Sequence, residues 1–496
     1  MPVALGLLTA LIVGWLWGGL AEPATIHDES AYLLQAELLA SGRFSADSPP
    51  LPEFFEQSHV LVTPRLAPKY PPGHALLLVP GLWLGMPGLV PVLLAGLAGG
   101  LLFALVRQVA GAWPAALAWA IWLSAPAGNL WRATYLSEST SAALWLATAW
   151  LLLRWQRAGG ARELIAIAVL VGWMGITRPL TAIAFAAPVG VRVLLRVVRR
   201  REWGALAAAA AAGLLVLCVV PIWNAASTLD WTKTPYAEYS RVYIPYQKLG
   251  FGVDPAPALR ALPSDMAAAD LNYRRIHAAH TVESLPRAFV GRIVAASREV
   301  FGGSAWRATL AAFALIGLFV LDARGRFALV WTLALFVAYL AYAHPLDWLV
   351  YYYEAHAFFA FAAALGIWTV LTRISPRHAP RAAAACFVLV AGLGARDAFA
   401  TRDEIAGRSA YHREFARALG AIVRDPKAIV FVRYGPEHDP NLALVENSAD
   451  PERERVWVAY DRGIEDNARL LALAPERVPY YYDEASSRMS RLLPVP

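Results

Sequence analysis

The chain opens MPVALGLLTALIVGWLWGGLAEPATIHDESAYLLQAELLASGRF (residues 1–44), and the change of character within this stretch decides the fold. Residues 1–20 carry no charged side chain, and their number matches the roughly 20 residues a helix needs to cross a bilayer. No basic residue precedes the apolar run, and no small-residue cleavage site stands before a soluble domain. The run therefore reads as a retained first span, not a signal peptide. After it, Asp28 and Glu29 stand where a helix leaving the membrane meets water. Tyr32, Leu33, Ala36, Leu39 and Ala40 then recur at helical spacing opposite Gln35 and Glu37, the pattern of a helix lying along a membrane surface.

The remainder extends this reading. Of 496 residues, 58% are hydrophobic and 16% charged, against about 25% charged in a soluble domain. Further apolar runs fall at 89–108, 114–129, 138–153, 163–177, 180–197, 204–224, 308–321, 327–343, 355–372 and 382–398, after a first at 3–21. The segment 74–86 is too short for a full crossing and is broken by Pro80, Gly81 and Gly85. It fits a re-entrant or surface helix.

Charge sets the sidedness. The loops RWQRAGGAR (154–162), RVLLRVVRRRE (192–202) and RISPRHAPR (373–381) are arginine-rich and belong in the cytoplasm. They share one side only if 74–86 does not cross. The expected fold is an all-α polytopic bundle of about eleven transmembrane helices, with interfacial helices in the first outer loop. The N-terminus is cytoplasmic. Residues 1–398 form the transmembrane domain, with outer loops 22–88 and 225–306. In the tail 399–496, AIVFVRY (428–434) and RVWVAY (455–460) read as buried strands and NARLLALA (467–474) as a helix. This predicts a small soluble α/β domain outside the membrane.

Composition also excludes function classes. The net charge of +7 resides in short loops between apolar runs and is no signal for nucleic acid. Cys218 and Cys386 lie inside apolar runs, which argues against a structural disulfide or a cysteine metal site. There is no P-loop, no dinucleotide-binding glycine pattern, no G-x-S-x-G and no H-E-x-x-H. Acidic and histidine residues are not spread through the spans, as a proton-coupled carrier requires. They cluster at the outer ends.

Five outer stretches carry the candidate chemistry. Asp28 and Glu29 suit a general base or a carboxylate pair for a divalent ion, or simply an acidic helix N-terminus. In APKYPPGHALLLVP (67–80), Lys69 precedes a diproline turn and is placed either to meet a phosphate or to snorkel. In GNLWRATYLSEST (128–140), Glu138 opens a span and Ser137 or Ser139 is a candidate cap. In MGITRPL (174–180), Arg178 lies in a short outer turn against the charge rule. It calls for an anionic ligand or an internal salt bridge. AYAHPLDWLVYYYEAH (341–356) packs His344, Tyr352, Tyr353 and Glu354 together.

The order of HDESAY, KYPPGHALLL, Ser137–Glu138, Thr177–Arg178–Pro179 and HPLDWLVYYYEAH resembles the polytopic GT-C glycosyltransferases. The similarity lies in the branch of bacterial protein-mannosyltransferase-like and aminoarabinose-transferase-like membrane enzymes, and it covers about residues 1–400. It implies a polyprenyl-phosphate sugar donor and a glycan, lipid or protein acceptor. It places transfer at the outer face of a bacterial inner membrane, with the tail periplasmic. It also implies Asp28, and beside it Glu29, as base or holder of Mg²⁺ or Mn²⁺. Lys69 and Arg178 would take the donor phosphate. His27, Tyr32, His74, Glu138, His344, Tyr352, Tyr353 and Glu354 would line the donor and acceptor sites, with inversion at the anomeric carbon. The rival readings are a non-enzymatic glycolipid-binding or translocating protein and an oligosaccharide ligase.

Overall fold

The computed structural model describes residues 1–252 and 256–492. Every expected apolar run contains helix: Pro2–Trp17, Leu89–Ala110, Ala112–Ser124, Glu138–Ala158, Ala161–Gly175, Pro179–Arg200, Trp203–Leu217 continuing as Val219–Thr228, Ala305–Phe319, Ala323–Ala338, Ala355–Ile374 and Ala379–Arg408. Among the described residues, six helices are long and apolar enough to cross a membrane by length and composition. Pro2–Trp17, Ala112–Ser124 and Ala305–Phe319 are apolar but shorter. Glu138–Ala158 has the length, but its first turn is Glu-Ser-Thr-Ser. The chain is thus a multi-pass helical membrane protein.

The helix at Gly73–Trp83 has 11 residues, about 16 Å of rise, and is too short to cross the hydrocarbon layer. The bundle closes by backbone approach. A Cβ on Gly317 would fall 1.9 Å from the Ala362 carbonyl oxygen, and one on Gly366 would fall 1.8 Å from that of Phe313. Ala305–Phe319 and Ala355–Ile374 therefore pack face to face along small residues, as membrane helices do. Trp203–Thr228, by contrast, buries only 6% of its most apolar window, as a helix at the lipid-facing edge of a bundle does.

One end of the bundle is built from the first loop, the second loop and the tail. The first loop contributes His27–Ala40 and a small antiparallel sheet of β1 (Ala46–Asp47), β2 (Val60–Leu61) and β3 (Arg65–Pro68), in the order β1-β3-β2. The second loop adds helices Pro235–Tyr243, Ser264–Ala279 and Leu285–Phe301. The tail forms a sheet of β4 (Ala428–Arg433), β5 (Val456–Tyr460), β6 (Val478–Asp483) and β7 (Arg488–Arg491), ordered β5-β4-β6-β7, with only β7 antiparallel.

Two features of the tail differ from the sequence reading. The last long helix runs unbroken to Arg408, so the boundary at 398 falls inside a helix, because Ala398 to Arg408 keeps helical propensity with no Gly-Pro break. The tail is also packed onto the first loop. Phe54 and Phe55 share a buried cluster with Phe431 and Trp457, and Arg413 pairs with Glu22 at 2.9 Å.

Candidate active site

Asp28 sits in the first turn of His27–Ala40, next to an extended Ile26. The Tyr70 hydroxyl donates to its Oδ1. Its Oδ2 lies 3.1 Å from Nε2 of His27 and 3.4 Å from Nε2 of His59. The two imidazoles meet edge to face at 4.4 Å. Burial alone would raise the Asp28 carboxyl; the His59 and His27 ring nitrogens that face it oppose this and favour its charged form.

His59 is placed by the small sheet. Its carbonyl accepts from the Lys69 N–H at 2.9 Å, so the β2–β3 hairpin sets histidine and lysine side by side. Its φ is 68°, left-handed backbone seldom adopted outside glycine. Its N–H donates to the Tyr239 hydroxyl at 3.0 Å. Burial, reinforced by Lys69, pushes its imidazole down to about 3, so it is neutral at physiological pH. No spacing in the sequence points to His59, since only the hairpin returns it to His27.

Lys69 is 2% exposed. Its ammonium lies over the rings of Tyr239, Tyr236 and Tyr70 at 4.8, 5.0 and 5.3 Å. Among the described residues it has no hydrogen-bond or salt-bridge partner. Burial lowers it to about 8, and Asp28 opposes that shift. A buried cation held only by aromatic faces is available to an anion.

Arg178 differs. Its guanidinium donates to Glu138 at 2.7 Å, and both side chains are buried. It also donates to the Val350 carbonyl at 3.2 Å. Arg178, expected to take the donor phosphate, is paired with an internal carboxylate. Two turns hold it near the lysine. The Gly73 N–H donates to the Ile176 carbonyl at 2.7 Å, and Trp173 Nε1 donates to the Gly73 carbonyl at 2.9 Å.

Other predicted residues are occupied elsewhere. Glu29 is not brought to Asp28's partners. Its carboxylate accepts from the Thr25 N–H at 2.6 Å and the Tyr135 N–H at 3.3 Å, because a one-residue step on a helix turns the side chain by about 100°. The two acids do not converge, so a carboxylate pair for Mg²⁺ or Mn²⁺ does not fit these residues. His74 is pinned between Thr140 Oγ1 and the Tyr135 carbonyl, at 2.8 and 2.7 Å. Tyr32 donates to Ser137 and stacks on Tyr70 at 4.6 Å. Ser137 occupies the N-cap position of Glu138–Ala158 without a side-chain capping bond. His344 is held by the Tyr342 carbonyl and the Tyr352 hydroxyl. The Tyr353 hydroxyl accepts from Arg132 at 2.9 Å. Tyr352 and Tyr353 thus pack the wall behind the site.

Glu354 stands apart. It is buried, and neither carboxylate oxygen has a hydrogen-bond partner among the described residues. It heads an apolar cavity of about 110 Å³ lined by Leu102, Trp145, Trp331 and Phe361, with Arg192 and Arg324 also on its wall. Three helices begin at this end, at Glu138, Pro179 and Ala355, and their positive ends favour an anion.

No protein-family model and no curated protein matches the chain. The fold recurs in solved structures. The chain is similar to the crystal structure of ArnT from Cupriavidus metallidurans bound to undecaprenyl phosphate. The TM-score is 0.51 at 15% identity, over 98% of this chain and 90% of that one. The apo state of the same protein gives 0.51 at 14% identity, over 97% and 92%. A weaker likeness, with TM-score 0.38 and 13% identity over 82% of this chain and 56% of that one, is to the oligosaccharyltransferase AglB from Archaeoglobus fulgidus.

Proposed function

We propose that the protein transfers a sugar from a polyprenyl phosphate to a glycan, lipid or protein acceptor at the outer face of a bacterial inner membrane. One observation carries this reading: a buried ammonium, Lys69, held over aromatic rings with no hydrogen bond or salt bridge among the described residues, in the field of the Asp28 carboxylate at one end of a greasy bundle. The ArnT structure in the same fold is bound to undecaprenyl phosphate, and the apolar cavity below Glu354 suits an isoprenoid tail.

In this mechanism Lys69 binds the donor phosphate and balances its charge as the bond from the anomeric carbon to the phosphate oxygen breaks. The acceptor hydroxyl attacks the opposite face, so the anomeric carbon inverts. Asp28, strongly ionised, is a weak base before the reaction. It takes the proton late, once the new carbon–oxygen bond has made that oxygen acidic. Tyr70 holds the carboxylate in register through Oδ1. Polyprenyl phosphate leaves with the lysine as its counter-ion. Glu138 keeps Arg178 at the rim of the site, where it shapes the field without being the phosphate's direct partner.

The test is release of free polyprenyl phosphate from a polyprenyl-phosphate sugar by the purified protein in lipid nanodiscs. Asp28→Asn should lose most of the turnover with donor binding preserved. Wild-type rates in that variant would remove Asp28 from the mechanism. No release with any such donor would remove the transferase reading.

A further inference from the structure

We propose that His27 is a catalytic residue: its Nδ1 takes the proton of an acceptor hydroxyl seated in the small cavity beside it, while its Nε2 hands a proton on to Asp28. The proposal rests on the transferase reading and adds to it a route for the proton and a seat for the acceptor.

Two buried imidazoles set up this route. Nε2 of His27 lies 3.1 Å from Asp28 Oδ2, and Nε2 of His59 lies 3.4 Å from it. A neutral imidazole carries its proton on one nitrogen, and a carboxylate accepts only from that one. Nε2–H therefore faces Asp28 in each ring, and each Nδ1 keeps a lone pair. Both residues are more than nine-tenths buried, and neither Nδ1 has a partner among the described residues. A buried acceptor left empty is costly, and an arriving O–H group is the partner it lacks. Asp28 itself is poorly placed to meet that hydroxyl. Its Oδ1 accepts from Tyr70, and its Oδ2 is faced by both rings.

The seat is a cavity of about 20 Å³ lined by His27, His59, Tyr239 and Tyr273. It has room for about one hydroxyl oxygen. Tyr239, on its wall, also lies under the Lys69 ammonium at 4.8 Å. One ring thus borders both the acceptor hydroxyl and the donor phosphate. Of the two histidines, His59 is the poorer base, since burial and Lys69 push it down to about 3. His27 approaches Asp28 more closely, and its backbone N–H is held by the Asn441 carbonyl at 3.1 Å, so the tail fixes its main chain. A base oriented by a third group is a recurring catalytic arrangement.

The step balances. As the acceptor oxygen bonds to the anomeric carbon, its proton moves to Nδ1 and the Nε2 proton moves to Asp28 Oδ2. The electrons of the breaking carbon–oxygen bond leave with polyprenyl phosphate. His27 ends as its other neutral tautomer. Asp28, whose side chain is 30% exposed, then releases the proton to water.

The test uses the full-length protein in lipid nanodiscs, a polyprenyl-phosphate sugar as donor, and water or methanol as the acceptor hydroxyl. His27→Gln keeps an amide nitrogen toward Asp28 but has nothing at Nδ1. It and His27→Ala should each lose at least about a hundredfold in kcat, with donor KM unchanged. Added imidazoles should restore turnover to His27→Ala, the more basic ones more strongly, and should not restore it to Asp28→Asn. In ¹⁵N-histidine spectra, the signals lost in His27→Gln should be those of a ring protonated at Nε2 and bare at Nδ1. A His27 ring protonated at Nδ1, or wild-type kcat in either folded His27 variant, would overturn the proposal. So would imidazole rescue of His59→Asn in place of His27→Ala. Absence of release by the wild-type protein would instead sink the transferase reading, with the spectra still reporting the ring.

Discussion

Arg178 and Glu138 form a buried ion pair at 2.7 Å, both less than a tenth exposed. Charge that looks available in the sequence is therefore consumed inside the protein. Removing one partner of such a pair costs about 3–5 kcal/mol, while replacing both with apolar residues of similar size is far milder. We expect Glu138→Ala to destabilise the protein by about that amount in denaturant unfolding, and Arg178→Met/Glu138→Met to recover most of the loss.

Lys69 should behave in the opposite way. Its burial lowers it to about 8, so the folded state bears a cost for keeping it charged. Lys69→Met should leave stability unchanged or raised while donor KM climbs steeply. The sign with pH follows. The ammonium is present below about pH 8 and lost above it, so kcat/KM should fall on the alkaline side of that value. Lys69→Arg, which stays protonated, should abolish this limb whatever its absolute rate.

Asp28 and Glu29 are neighbours in sequence with separate roles. Burial lifts Glu29 to about 7, against an ordinary 4.5. The folded state then holds more protons than the unfolded one between those values, so this group's contribution to stability falls as pH rises from about 4.5 to 7 and is flat beyond. Glu29→Gln should remove that slope and retain most sugar transfer. Glu29→Ala leaves the Thr25 and Tyr135 N–H groups without their acceptor and should cost about 1–3 kcal/mol. Unfolding measured at pH 5 and pH 7.5 distinguishes these outcomes.

These contrasts mark what a linear reading can and cannot reach. Hydropathy runs locate the helices because lipid acts on each segment separately, and the arginine-rich loops give a consistent parity. The stretches holding Asp28 and Lys69 converge in space, as their shared position at the outer ends of spans suggested. Pairing is another matter. Whether Arg178 faces a ligand or Glu138 depends on helices 40 residues apart in sequence. His59 joins His27 only through a hairpin whose strands are two and four residues long, too short to show alternation. Tyr70, visible in the Lys69 stretch, and Tyr239, in the second loop, gain meaning only when they close around Lys69. The tail's docking depends on Phe54 and Phe55 meeting Phe431 and Trp457, a contact no local pattern encodes.

Gly73 tests whether the convergence of two turns matters. A Cβ there would lie 2.5 Å from Thr177 Oγ1 and 2.7 Å from the Ile176 carbonyl oxygen, and backbone cannot yield as a flexible side-chain tip can. Gly73→Ala must therefore separate the turn carrying Lys69 from the turn carrying Arg178. Overpacking of this kind costs about 1–3 kcal/mol, and displacement of about 1 Å at a reacting centre can cost on the order of a hundredfold in rate. We expect Gly73→Ala to remain folded but to lose roughly tenfold or more in kcat/KM by this displacement. Gly190, in the helix Pro179–Arg200, has nothing within 4 Å of the same added carbon, so Gly190→Ala should be neutral or stabilise by about 0.5–1 kcal/mol. Equal rates in the two variants would show that the contact between the turns is packing alone and that Lys69 reaches its place without it.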